Sequence, residues 1–146
     1  MKRIILKSLR AVRYLFYRHL SINEQIIVSE TLNDEVLEKL FWKQSKADRH
    51  HSYEVFLRTK KFTNDIDILK LSLLHDIGKS IDEYSWIFRI LTELNLIKNF
   101  KSKNYLDHEQ IGLEILKNNN VNNDFINFYN KNLLTKKDEI LDKTDF

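Results

Sequence analysis

Apolar residues recur at helical spacing along the chain and predict helices at roughly 2–19, 22–42, 48–61, 64–77, 82–97, 106–118, 122–131 and 135–145. No repeat or linker interrupts the series. Ser45 or Asp48 can cap the third helix, Asn64 with Asp67 resembles a capping box, and Asp65 suits the positive helix start. The fourth helix is expected to bury Ile66, Leu69, Leu73, Leu74 and Ile77, with Gly78 free to turn left-handed and stop it. His75 and Asp76 then occupy its last turn. Consecutive helical side chains diverge by about 100°, so the pair cannot face one wall, but both can reach a pocket beyond the helix end.

Composition strengthens the all-α expectation. The chain has 146 residues, no proline and only two glycines, Gly78 and Gly112, too little punctuation for a turn-rich β fold. That length suits one domain, and residues 1–40 are expected as an N-terminal helical segment packed on the remainder, 41–146. Cysteine is absent, so any transition-metal site must use His, Asp and Glu. The same absence fits a cytoplasmic setting.

The net charge of +3 is unevenly placed. Lys2, Arg3, Lys7, Arg10, Arg13 and Arg18 all precede the first acid, Glu24, and alternate with Ile4, Ile5, Leu9, Val12 and Phe16. Apolar runs here are far shorter than the roughly 20 residues of a membrane span. The segment also lacks the form of a secretory signal. A basic amphipathic helix over 2–18 is expected to pack on its own domain, with weak contact to a membrane surface or anionic partner as the lesser alternative. Near-balanced charge over the remainder argues against nucleic acid.

Candidate chemistry gathers around three of the five histidines. His51 opens HSYEV, and Val55 lies one helical turn beyond it on the same face. His75-Asp76 stands in LLHDIGK, and His108 begins HEQIGLEIL, where Ile111, Gly112 and Ile115 form a packing side. Asp138, Asp142 and Asp145 share one stripe of the last helix, so spacing leaves the terminal carboxylate open among them.

His51 in DRHHSYEV, His75-Asp76 in LLHDIGK and Asp142 in LDKTD together resemble the HD-domain superfamily of metal-dependent phosphohydrolases, whose signature is H…HD…D. The resemblance covers about residues 41–146 and extends to the flanks, HS-x-x-V, HD-x-GK and H-x-x-x-G. It implies an HD-type helical bundle carrying an extra basic N-terminal helix. It also implies that His51, His75, Asp76 and Asp142 hold one divalent ion of the Mn, Fe, Zn, Co, Ni or Mg class. Such an ion activates water for hydrolysis of a phosphomonoester or phosphodiester, with Asp76 and Lys79 as the catalytic pair. Lys79, Arg49 and His108 are the expected contacts to a small, nucleotide-like phosphorylated substrate, Lys79 alternatively supporting Asp76.

The pattern departs from the superfamily at FINFYNKN, where members with two metals place an extra histidine, so a second ion through His108 is not favoured. The alternative function is an HD-fold binding or regulatory module without turnover.

Overall fold

The computed structural model describes residues 5, 9, 12–81 and 86–146. Among these, nine α-helices and no strand occur. They are α1 (Ile22–Leu32), α2 (Glu35–Trp42), α3 (Lys46–Thr59), α4 (Ile66–Leu74), α5 (Trp86–Glu93), α6 (Phe100–Leu106), α7 (His108–Asn118), α8 (Asn123–Tyr129) and α9 (Glu139–Thr144). A 3-10 turn spans Ile77–Ile81, and a π-helical turn, Asn130–Thr135, continues α8. The all-α expectation holds.

The core forms where α3 and α4 lie against each other, with α1 and α2 packed on α4 and α9 on α3. Val28, Leu32, Phe41, Val55, Leu71, Leu73, Leu74, Ile77, Leu116 and Leu141 are fully buried there. Each such side chain contributes roughly 1.5–3 kcal/mol on removal from water. The N-terminal part of the pattern therefore shares the core on which the histidine-bearing helices rest.

Local chemistry explains where the predicted boundaries shift. The single helix expected over 22–42 is two, because Asn33 turns left-handed (φ 44°) and donates its N–H to the Ser29 carbonyl, while the Asp34 side chain caps α2. Ser45 caps α3 by accepting the Asp48 N–H, and its hydroxyl donates to the Asp48 carboxylate at 2.8 Å. Asp65, not Asn64, caps α4, accepting from the N–H groups of Asp67 and Ile68. Ile66 is half exposed rather than core, since it opens the helix before the packed face begins. Helix α6 falls in a stretch too polar for a periodic signal, and a reciprocal cap between Asn99 and Ser102 starts it.

Gly78 does not adopt the left-handed conformation. Helix α4 instead ends at Leu74 and passes through His75 into the 3-10 turn. The position needs glycine because α7 begins against it: a Cβ there would fall on the His108 carbonyl oxygen and lie 2.8 Å from the Gly112 nitrogen. Gly112 in turn makes room for the Tyr129 hydroxyl. Gly78→Ala is expected to destabilise the fold by about 1–3 kcal/mol, because the obstructing atoms are backbone and only displacement of α7 relieves the overlap. Urea unfolding measures the loss, and an unchanged midpoint would contradict the close approach.

Lys2, Arg3, Lys7 and Arg10, and the start of the helix expected over 82–97 with Asp82 and Glu83, lie outside the described residues. Arg18 grips Glu24 through two 2.8 Å hydrogen bonds, chiefly responsible for holding that carboxyl down to about 2. Ile5, Leu9, Val12, Leu15 and Phe16 are all exposed. Among the described residues, no helix is long and apolar enough to cross a membrane.

Candidate metal centre

Two segments bring three titratable side chains together beneath the surface. His51 projects from the middle of α3, His75 and Asp76 follow the end of α4, and all three are buried. One donor atom from each lies within 4.8 Å of the others. The Asp76 Oδ2 atom is 3.6 Å from His75 Nε2 and 3.9 Å from His51 Nε2. The end of α4 is fixed from behind by Tyr129, which donates its hydroxyl to the His75 carbonyl at 3.4 Å. Burial raises the Tyr129 phenol well above its ordinary value, so it remains a neutral donor.

The terminal carboxylate at this cluster is Asp145. Its Oδ1 lies 3.1 Å from His51 Nε2 and 3.5 Å from His75 Nε2. Asp142, expected from the resemblance, is exposed and makes no contact with the cluster among the described residues. Helical geometry is the reason. Leu141 and Thr144 face inward, Asp145 at the C-cap returns to the Leu141 side one turn later, and Asp142 is rotated toward solvent. Asp138 is occupied as the N-cap of α9, accepting from Ile140 and Leu141. Asp145 is secured by Lys137 at 2.8 Å. Arg58 donates to the carbonyls on either side of it, those of Thr144 and Phe146.

His75 carries the clearest sign of the chemistry the cluster suits. Its Nδ1 lies 2.7 Å from the Ser72 carbonyl, which can only accept, so Nδ1 holds a proton. Its Nε2 is buried and makes no hydrogen bond among the described residues, although both carboxylates lie close. Burial pushes the imidazole pKa down, but the charges of Asp76 and Asp145 outweigh it and leave the ring above its ordinary value. The position therefore favours a cation, whether a proton or a metal. The imidazole nitrogens of His51 and His75 with the Asp76 carboxylate make a donor set suited to first-row divalent ions, so these residues fit such a group.

Asp76 is the hub. Lys79 Nζ sits 2.8 Å from Oδ2, and His108 Nε2 sits 3.0 Å from Oδ1. Burial pushes the Asp76 carboxyl up, yet His75, Lys79 and His108 overcome it and hold the group well below the usual range. Lys79 is itself buried and directed onto Asp76, while His108, the first residue of α7, is partly exposed at the rim. Arg49 turns elsewhere: its guanidinium donates to the Trp42 carbonyl at 3.0 Å and lies over the Trp42 ring.

Sequence reasoning also missed a second buried pair. Arg89 of α5 makes two hydrogen bonds to Asp48, at 2.6 and 2.9 Å, one turn before His51. Tyr17 was missed as well; its hydroxyl approaches the other nitrogen of His51. A charged residue facing inward in the first turn of α3 was the only available signal for the former.

The fold and the cluster define an all-α domain with a buried His/Asp centre of metal-binding type. The chain belongs to the HD domain family, whose model matches residues 49–143. No curated protein and no solved structure matches it.

Proposed function

We propose that the chain is a metal-dependent phosphohydrolase, with His51, His75, Asp76 and Asp145 holding one divalent ion and a small, nucleotide-like phosphate ester as substrate. The family supports the reaction class, and the observation that carries the reading is the buried His75 Nε2, aimed between two carboxylates with its other nitrogen tied to Ser72. When bound, a divalent ion activates water and polarises the phosphoryl group. The chain's own residues do the rest. His75, Lys79 and His108 together keep Asp76 ionised, and Lys79 fixes its orientation. His108 stands at the rim, where an imidazole can meet the substrate phosphate or exchange a proton with it. Arg49, committed to Trp42, has no such part in this reading.

Stripping the protein with a chelator and restoring Mn, Fe, Co, Ni, Zn or Mg singly tests this directly. Hydrolysis of aryl phosphate, aryl phosphodiester and nucleotide substrates is expected to vanish on stripping and return with at least one ion. Metal uptake without hydrolysis of any ester would instead favour the binding module.

A further inference from the structure

We infer that Tyr17, which lies before the family-matched residues, is a positioning residue for His51, fixing the tautomer that presents Nε2 to the metal centre. The inference rests on the proposed metal-binding role of His51.

The Tyr17 side chain is buried, with its hydroxyl 3.4 Å from His51 Nδ1 and 3.3 Å from Glu54 Oε2. A phenol has one proton to donate, and the Glu54 carboxylate has none to offer in return. The Tyr17 proton therefore goes to Glu54, and toward His51 the hydroxyl oxygen acts as an acceptor. Without a metal, Nε2 lies 3.1 Å from the acceptor-only Asp145 Oδ1 and holds a proton toward it; when a metal takes that place the ring proton must sit on Nδ1, and the Tyr17 hydroxyl oxygen is the acceptor that receives it. A histidine that ligates through one nitrogen characteristically donates from the other to an acceptor that sets its tautomer. His75 meets this need within its own turn, through the Ser72 carbonyl. His51 meets it through a tyrosine 34 residues away in sequence.

The seat of Tyr17 is specific. Its ring meets His50 edge-on at 4.8 Å, and the neighbouring Arg18 backbone N–H donates to His50 Nδ1 at 3.2 Å. Glu54 stands three residues after His51 on α3, and Arg58 Nη2 contacts the same Oε2 atom at 3.4 Å. Arg58 also holds the backbone around Asp145. One polar chain thus connects the outer nitrogen of His51 to the segment that presents the terminal carboxylate.

Tyr17→Phe keeps the ring and removes only the hydroxyl. In full-length protein, competition with a chelating dye is expected to show Co2+ or Mn2+ binding weakened by roughly tenfold to a hundredfold. Proton NMR of the zinc-loaded wild type is expected to show the His51 Nδ1–H as a downfield, slowly exchanging signal. In the zinc-loaded variant that signal should move upfield and exchange faster. Glu54→Gln, which still offers an oxygen acceptor, should retain more of the wild-type affinity than Tyr17→Phe. Unchanged affinity and an unchanged Nδ1–H signal in Tyr17→Phe would overturn the positioning role alone. Wild-type protein that binds no metal would overturn the metal-binding reading instead.

Discussion

Asp145→Ala is expected to lose bound metal and to lower ester hydrolysis by about a thousandfold, equivalent to about 4 kcal/mol of barrier. Asp142→Ala is expected to leave both nearly unchanged. The contrast follows from the position of each carboxylate: Asp145 lies against both imidazoles, whereas Asp142 is in solvent. Asp76→Ala should match the loss in Asp145→Ala, since the same two imidazoles face its Oδ2. Asp145→Asn serves as the more conservative partner. It preserves volume and an acceptor oxygen for Lys137 while removing the charge a metal requires. Elemental analysis of each purified variant, alongside hydrolysis rates, makes the comparison. Metal loss in Asp142→Ala with Asp145→Ala still loaded would reverse the assignment.

That pair of aspartates marks the limit of what the sequence made legible. The helical class followed from periodicity and the scarcity of glycine and proline. His51, His75 and Asp76 were legible because their flanking residues recur with them, and the structure brings all three together. The terminal carboxylate was not, because one amphipathic stripe carries three aspartates and the choice depends on where α9 starts. Asp138 caps that helix after a π-helical turn, and this sets the phase that turns Asp145 inward. Periodicity assumes an unbroken α-helical phase and cannot anticipate the change. The family match itself includes Asp142 and stops before Asp145. Tyr17 and Arg89 were illegible for another reason. Their roles depend on partners 34 and 41 residues away, and nothing local distinguishes them from an ordinary aromatic and an ordinary surface cation.

Asp48→Asn should be the most destabilising of the conservative substitutions near the site, by about 3–5 kcal/mol at pH 7, because it leaves the buried Arg89 guanidinium without its counter-charge. Burial pushes the Asp48 carboxyl up, but the hydrogen bonds and charge of Arg89 outweigh it and hold the group below its ordinary value of 3.8. A depressed folded-state pKa adds stability that is fully present above the unfolded value and is lost as pH falls through the folded one. The gap between wild type and Asp48→Asn in urea unfolding should therefore be flat from pH 7 to about pH 4 and close at lower pH. A gap independent of pH down to acid unfolding would mean that lost packing, not lost charge, is responsible. Replacing both partners with apolar residues, Asp48→Leu with Arg89→Met, should recover much of the stability, since neither buried charge then remains to be compensated. Recovery of stability with hydrolysis still impaired would show that the pair matters for more than folding. Asp48 lies one turn before His51, so the ion pair also anchors α5 beside the histidine it adjoins.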